Sequence, residues 1–369
     1  MKFNVLQENL KNSLNYLQKV IPAKPQISVL SSILLQLKDQ KLILSATDLY
    51  LGIKTELIVE TENTGELIVN GELLKNIINS LENGKISFEL KDNFLIIKQG
   101  RTTSRLACQN SEEFPNFPVV EGDSFHLGLD DLEKIQTAVT FCASVDQSRP
   151  VLTALMFKFN EIGLEVVATD GFRLSSLFLR TINSKQDKTI LIPAKALNEL
   201  YRIAKQAEVQ KIEILVAPEL KQLLFKINQV EMYVRLIEGD YPPYEKIIPP
   251  SFAVNIEFDG LEFLTQLKRA AIFSRDVSNV VKLAIEKNRM LISSQSPSLG
   301  EYSGEITINN DSDQTGEIAF NVNYLIDFIN ALKPETLIFG MNESLKPAIF
   351  KNKTTEDYFY IAMPFRVNS

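Results

Sequence analysis

Hydrophobic positions along the chain follow two spacings, and these alternate in a fixed order. Residues 3–5 fit a short strand, and residues 6–17 carry a leucine at every third or fourth position, as an amphipathic helix does. Apolar runs over 33–37, 41–45 and 52–59 are separated by turn-forming residues, which is typical of strands. The first segment is therefore predicted to fold as β-α-β-β-β.

The same order returns five more times along the chain. Five further stretches have the helical spacing, each after one short apolar run and before strand-like runs: 73–81, 130–142, 194–206, 261–271 and 322–333. Two such half-units make one repeat. Because antiparallel strands need one covered face, we expect the helices to lie together on one side of the sheets. The predicted fold class is α+β.

A repeated sequence motif indicates the size of the repeat. The run Leu44 to Leu49 contains Ala-Thr-Asp, and Val166 to Leu174 repeats it as Ala-Thr-Asp-Gly-Phe-Arg-Leu. The third copy has Ser294 to Pro297 at this turn and lacks the Thr-Asp pair. A period of domain size indicates serial duplication. We predict three domains, at 1–120, 121–250 and 251–369.

Composition agrees with a folded protein and narrows its class. Apolar residues make up 45% of the 369 residues and charged residues 23%, which is ordinary for globular domains. No run reaches the roughly 18 apolar residues of a membrane helix. Cys108, Cys142 and the single histidine, His126, have no metal-ligand spacing. We expect a cytoplasmic protein that holds no metal or cofactor and does not bind membranes.

Charge and motifs limit the possible functions further. A net charge of −7 argues against coating nucleic acid by bulk attraction, although the predicted helices lean basic. Scattered solvated lysines would explain that lean equally well. Phosphate-binding, zinc-protease and serine-hydrolase motifs are absent, so we expect no enzyme. Asp48 and Asp170 could form a metal site of a nuclease, but aspartates in such turns commonly cap backbone N–H groups.

Four stretches carry a resemblance to a known family: Val167 to Leu174, Leu236 to Pro242, Phe320 to Leu325 and Met363 to Arg366. Together they resemble the bacterial DNA sliding clamps, the beta subunits of the replicative polymerase holoenzyme. The likeness extends over essentially the whole chain and includes Met1-Lys2-Phe3 and Phe114-Pro115-Asn116.

The resemblance implies a processivity factor with no catalytic activity. Two copies would join head to tail in a closed ring of six similar domains, with helices lining the hole and sheets outside. Double-stranded DNA would pass through the hole without sequence preference. The implied partners are the replicative polymerase, an ATP-driven clamp loader and other proteins with a clamp-binding motif. A peptide-binding scaffold that never encircles DNA remains an alternative.

The resemblance also implies three sets of site residues. A partner-peptide cleft would comprise Leu152, Thr169, Gly171, Phe172, Arg173, Leu174, Pro242, Lys246, Ile247, Asn321, Tyr324, Met363, Pro364, Phe365 and Arg366. Residues facing DNA would be Lys24, Lys195, Arg202, Lys205, Lys268 and Arg269. The ring joint would use Ile77, Leu106, Ile272 and Phe273, whose apolar side chains also fit an internal core.

The chain departs from the family pattern within the cleft. Phe172 stands where a histidine is usual, Glu245 and Lys246 replace a basic pair, and Phe365 replaces a second methionine. Residues 367–369 extend the end, and Pro150-Val151 replaces an aromatic pair that contacts DNA. These changes predict a bulkier, less basic cleft with a modified peptide preference.

Overall fold

A computed structural model describes residues 1–182, 187–276, 278–310, 314–355 and 357–366. The tail residues 367–369 lie outside the described part. Within it, the β-α-β-β-β order occurs six times, as the sequence predicts. None of the helices described is long and apolar enough to cross a membrane.

The first repeat contains nine strands and two helices. Its elements are β1 (Lys2–Leu6), α1 (Gln7–Leu17), β2 (Ser32–Lys38), β3 (Lys41–Thr47), β4 (Leu51–Ile58), β5 (Glu60–Asn63), β6 (Gly65–Asn70), α2 (Gly71–Ser80), β7 (Lys85–Lys91), β8 (Phe94–Gln99) and β9 (Thr102–Gln109).

The second repeat has the same order in its described residues. Its elements are β10 (Asp123–Gly128), α3 (Leu129–Ala138), β11 (Ala154–Phe159), β12 (Leu164–Thr169), β13 (Arg173–Leu179), β14 (Lys188–Pro193), α4 (Ala194–Gln206), β15 (Lys211–Ala217), β16 (Gln222–Ile227) and β17 (Val230–Arg235).

The third repeat completes the described chain. Its elements are β18 (Val254–Asp259), α5 (Gly260–Ile272), β19 (Val280–Ile285), β20 (Arg289–Ser296), β21 (Gly300–Thr307), β22 (Asn309–Asn310), β23 (Gly316–Asn321), α6 (Val322–Leu332), β24 (Thr336–Met341), β25 (Ala348–Asn352) and β26 (Tyr358–Ala362).

The chain forms two compact units, and the central repeat contributes to both. The first unit consists of Met1–Leu129 and Lys195–Leu236. Its sheet has the strand order β10-β15-β16-β17-β4-β3-β2-β6-β9-β8-β7-β1-β5. The second unit consists of Asp130–Ala194 and Ile237–Ser369. Its described strands form two sheets, β14-β11-β12-β13-β26-β25-β24-β18-β22 and β21-β20-β19-β23.

Periodicity and capping explain why the helices form where they do. In α1 the buried side chains of Leu10, Leu14 and Leu17 recur at the predicted spacing and face the core. Asn70 caps α2, because its Oδ1 accepts from the Leu73 N–H at 2.9 Å, and Asp259 caps α5 through the Glu262 N–H at 2.7 Å. These polar residues fix the strand-to-helix junctions.

Three local features differ from the prediction. The helix predicted to reach residue 142 ends at Ala138, where the Thr140 hydroxyl donates to the Ile135 carbonyl oxygen at 3.2 Å and a short 3-10 turn begins. The strands β5 and β22 were not predicted. Strand β5 is polar, and it is held by pairing with β1 and by the Lys85–Glu60 ion pair at 2.5 Å.

Candidate functional site

The turn after β12 is shaped by the side chains of Thr169 and Asp170. The Thr169 hydroxyl donates to the Arg173 carbonyl oxygen at 2.6 Å and accepts from the Gly171 N–H at 3.0 Å. Asp170 Oδ1 accepts from the N–H groups of Phe172 and Arg173 at 2.9 and 3.0 Å. Gly171 has φ +93°, which glycine adopts without steric cost. Asp170 therefore caps backbone N–H groups of the turn, as the sequence analysis gave as the alternative to a metal ligand.

Arg173 connects this turn to α6. Its Nε donates to Asp170 Oδ2 at 3.0 Å, its Nη1 to Asp327 Oδ2 at 2.7 Å and its Nη2 to the Phe141 carbonyl oxygen at 3.1 Å. Burial opposes the charged form, but the bond to Asp327 and the charge of Asp170 outweigh it, so the pKa of Arg173 is raised. The guanidinium is thus charged and committed to internal partners.

Asp327 is a site residue that the sequence prediction missed. It lies one helical turn after Tyr324 on α6, so both side chains share a face. The Arg173 guanidinium stands 4.7 Å from the centroid of the Tyr324 ring while it pairs with Asp327. The i,i+3 spacing of an aromatic and an acid was the available signal, although it does not identify Arg173 as their partner.

Aromatic rings form the exposed wall of this site. Phe172 is 60% exposed and stacks on Tyr324, with ring centroids 6.5 Å apart. The Tyr360 hydroxyl donates to the Tyr324 carbonyl oxygen at 2.9 Å and anchors the start of α6. Asn321, which was predicted to line the cleft, accepts from the Asn323 N–H at 3.0 Å and caps this helix.

Residues 363–366 lie beside the turn. The Met363 N–H donates to the Phe172 carbonyl oxygen at 2.8 Å, which continues the β13–β26 pairing, and the Phe365 N–H donates to the Ala319 carbonyl oxygen at 2.7 Å. Met363 and Pro364 are half-buried, whereas Phe365 and Arg366 are exposed. The apolar side chains of Met363 and Phe365 are therefore at least partly accessible beside this turn.

A buried apolar cluster supports the accessible residues. Leu174 packs with Met156, Val167, Tyr244 and Ile361, and nearly all of its surface is buried. Leu152 is also buried. These side chains form the floor of the site, so their substitution would affect stability as well as binding.

The segment around Tyr244 contributes the remaining predicted residues. Pro242, Lys246 and Ile247 are exposed around a 3-10 turn, Tyr244–Ile247. Burial raises the pKa of the Tyr244 phenol, and the Glu165 and Glu245 carboxylates add to this. Glu245 pairs with Lys158 at 3.2 Å. All fifteen predicted cleft residues belong to the second unit, and bonds or ring contacts join Thr169, Phe172, Arg173, Tyr324 and Met363 directly.

Comparison with known proteins identifies the family. Three models of the DNA polymerase III beta subunit match in succession, the N-terminal domain at residues 1–118, the central domain at 126–243 and the C-terminal domain at 245–366. The chain belongs to the DNA polymerase III beta subunit family. Its fold accordingly comprises three clamp domains of mixed helix and sheet.

The similarity to individual beta subunits extends over the full length of this chain. The chain is 27% identical to the beta sliding clamp of Staphylococcus aureus and 26% identical to that of Staphylococcus epidermidis, over 99% of each chain. The solved beta subunit of Pseudomonas aeruginosa has 25% identity and a TM-score of 0.93, with all of both chains covered. The likeness is therefore one of the entire molecule.

The six basic residues that the beta subunit resemblance implies for DNA are all exposed. Lys195 Nζ lies 3.3 Å from Asp48 Oδ2, and Arg202 Nη1 lies 2.9 Å from Glu199 Oε1. Lys205 Nζ bonds the Tyr201 hydroxyl at 3.0 Å. Lys24 belongs to the first unit, as do Lys195, Arg202 and Lys205. Lys268 and Arg269 lie on α5 in the second unit.

The four residues expected at the beta subunit ring joint differ in exposure. Ile272 is 54% exposed, and Phe273 is half-buried and stacks on Tyr302. Ile77 is half-buried on α2. Leu106 is only 5% exposed, so its side chain belongs to the core of its own chain.

Proposed function

We propose that the protein is a non-catalytic processivity clamp that encircles duplex DNA as a head-to-tail homodimer. It tethers the replicative polymerase and other clamp-motif proteins, and a clamp loader places it on DNA. The observation that carries this proposal is the succession of three beta subunit domain matches through residues 1–366. Because it would encircle the bacterial chromosome, we propose a cytoplasmic location. From the period of the sequence repeat we propose domain boundaries at 1–120, 121–250 and 251–369.

Two strand edges support the proposed ring joint. Strand β9 pairs with β6 only at Cys108 and Gln109, so residues 102–107 keep one edge unpaired among the described residues. Strand β21 pairs only with β20 among the described residues. Open edges of this kind pair readily with another strand. We propose that β9 of one copy pairs with β21 of the other.

Charges and apolar groups on these elements are complementary. Arg101 and Arg105 lie at β9, and Glu301 and Glu305 lie on β21. The exposed Ile272 has apolar surface that a partner copy would cover. We propose that Ile77 and the backbone at Leu106 meet Ile272 and Phe273 in this joint, since a heterologous contact closes when its rotation divides the circle.

The exposed cations suit loose contact with a phosphate backbone. Lys195 and Arg202 are already paired with Asp48 and Glu199, so each offers DNA less than a full free charge. Weak, sequence-independent phosphate contacts hold a duplex without fixing its register. We propose that these residues, together with Lys24, Lys205, Lys268 and Arg269, face DNA and permit sliding.

The site in the second unit is the proposed partner cleft. Phe172, Ile247 and Phe365 are exposed apolar side chains above the buried floor of Leu152 and Leu174. Apolar side chains of a short peptide that pack into such a pocket contribute most of its affinity. We propose that partner motifs bind here, and that Phe172 and Phe365 narrow the range of peptides accepted.

Topological retention on DNA tests the proposal. The protein is loaded by its clamp loader onto a nicked circular DNA, and the bound fraction is measured at moderate salt before and after the DNA is linearised. A ring stays on the circle and slides off the linear ends. Equal retention on both forms, or no binding to either, would contradict the proposal and favour a scaffold that does not encircle DNA.

A further inference from the structure

The turn between β3 and β4 repeats the turn of the partner cleft bond for bond. The Thr47 hydroxyl donates to the Leu51 carbonyl oxygen at 3.0 Å and accepts from the Leu49 N–H at 2.9 Å. Asp48 Oδ1 accepts from the N–H groups of Tyr50 and Leu51 at 3.0 and 2.7 Å. The duplication has therefore kept the hydrogen-bonded frame of this turn in the first unit.

Two large apolar side chains are exposed on this frame. Tyr50, at the repeat position of Phe172, is 69% exposed, and Leu49 is 47% exposed. Leu49 also has φ +75°, in the left-handed region that leucine rarely occupies. A bulky residue held in such a conformation on a surface indicates a use for that side chain outside the chain's own core.

A small cavity opens beside these residues. Its volume is about 120 Å³, and its lining includes Leu49, Tyr50, Phe117, Gln222 and Tyr233. The Phe117 and Tyr233 rings meet edge to face, with centroids 4.9 Å apart. A cavity of roughly 150 Å³ holds a benzene molecule, so this cavity has room for one aliphatic side chain but is too small for a phenyl group with its linking methylene.

One cation lies beside the residues that line this cavity. The Arg235 N–H donates to the Tyr50 carbonyl oxygen at 2.8 Å, and Arg235 pairs with Gln222 in the register of β16 and β17. Side-chain alternation puts Arg235 on the same face as Tyr233. Among the side chains that the structure describes, none forms an ion pair with the Arg235 guanidinium.

The other nearby cations are occupied. Lys54 Nζ lies 5.4 Å from the Phe117 ring centroid and 5.5 Å from that of Tyr233. Lys195 pairs with Asp48. Arg235 is therefore the group that can receive an added negative charge.

We propose that this cavity is a second docking site, for a partner segment that inserts one aliphatic side chain and places a neighbouring acidic side chain on Arg235. The cavity volume selects the aliphatic group, and the unpaired guanidinium selects the acid. The second site and the partner cleft are built on equivalent turns of the sequence repeat. They differ in chemistry, because the position of Arg235 in the second site is held by Met363 in the cleft. A partner could thus contact one chain at two places of different specificity.

Methyl NMR on the full-length dimer tests this site with three synthetic probes. These are acetyl-Asp-Leu-Asp-amide, acetyl-Asn-Leu-Asn-amide and acetyl-Asp-Phe-Asp-amide at millimolar concentrations. The first is expected to shift the methyl signals of Leu49 and Leu51. The other two are expected to bind about fivefold more weakly, because one lacks the charges and the other is too large.

Matched variants separate this site from the partner cleft. Arg235→Gln is expected to weaken the first probe about fivefold at Leu49 and Leu51, whereas Lys91→Gln, which removes an exposed charge at the end of β7, leaves it unchanged. The methyl signals of Leu174 and Met363 report the partner cleft independently. Shifts confined to Leu174 and Met363, no shift at Leu49, or equal binding to wild type and Arg235→Gln would each overturn the second site, and the first of these would leave the proposed clamp function intact.

Discussion

The Thr47 turn of the first unit and the Thr169 turn of the second have the same backbone hydrogen bonds but present different surfaces. In the second unit the turn leads into Arg173, which reaches α6, and Leu174, which fills the floor. In the first unit the same positions hold the buried Leu51 and Gly52. The Phe117 ring occupies the space above Gly52, where a Cβ would lie 2.5 Å from Phe117 Cε1.

This difference separates the role of the backbone from that of the side chains. Thr and Asp build the turn in both units, so their presence predicts structure. The residues that follow the aspartate determine whether the surface is an open apolar wall or a small cavity beside a cation. Three substitutions examine the two halves of this comparison.

Arg173→Ala should have the largest effect. It leaves Asp170 and Asp327 without their shared cation, and we expect local stability around β13 to fall by about 3 kcal/mol. Hydrogen exchange of the β13 and β26 amides measures this loss. The control is Arg180→Ala, which breaks the more exposed Arg180–Asp357 pair at 2.6 Å and should cost less than about 1 kcal/mol. Equal losses in the two variants would show that Arg173 is not a structural link.

Gly52→Ala should have an intermediate effect in the first unit. The new methyl group collides with the Phe117 ring, and we expect a loss of about 2 kcal/mol, measured by hydrogen exchange of β4 and β17. Adding Phe117→Ala should make the double variant more stable than the sum of the single effects predicts. Gly171→Ala is the control without a collision, because the nearest atom to its added Cβ is Arg149 Nη1 at 3.8 Å. Only the backbone is strained in that variant. Additive effects of Gly52→Ala and Phe117→Ala would refute the collision.

Met363→Ala should have the smallest effect in free energy. It removes a half-buried side chain from the proposed cleft, and we expect about a tenfold loss of affinity for a synthetic peptide carrying the clamp-binding motif of a partner polymerase. Fluorescence anisotropy of the labelled peptide measures this, with the dimer monitored by light scattering. Arg235→Ala, at the equivalent repeat position, should leave the affinity unchanged. If both variants bind the peptide as wild type does, the cleft assignment is incorrect.

Local pattern was sufficient to predict most of the fold. Leucine spacing in α1 and the order of strands and helices come from the helical and strand periods, which depend on residues close in sequence. The helix α3 was predicted too long because Val139 and Cys142 continue an apolar spacing, although the helix ends at Ala138 and the Thr140 hydroxyl bonds back to the Ile135 carbonyl oxygen. The polar strand β5 has no periodic signal at all, since what holds it in place is its pairing with β1.

The candidate site could be predicted only as far as its residues share a recognisable motif. Thr169 to Leu174 and Met363 to Arg366 are visible as stretches, but the sequence does not show that Met363 bonds to Phe172 or that Arg173 reaches Asp327. Those contacts depend on the pairing of β13 with β26 and on the position of α6. Long-range pairings of this kind are set by the packed fold and leave no mark in local composition.

The pairing of β13 with β26 has a consequence for the making of the protein. Strand β13 begins at Arg173 and β26 at Tyr358, so a ribosome working at roughly 5 to 20 residues per second completes β26 roughly ten to forty seconds after β13. Throughout that interval the nascent chain carries a leucine-rich strand with an open edge, which invites pairing with other chains. We expect the growing polypeptide to depend on chaperones at this stage, and a partner peptide to find its complete binding surface only after that delay.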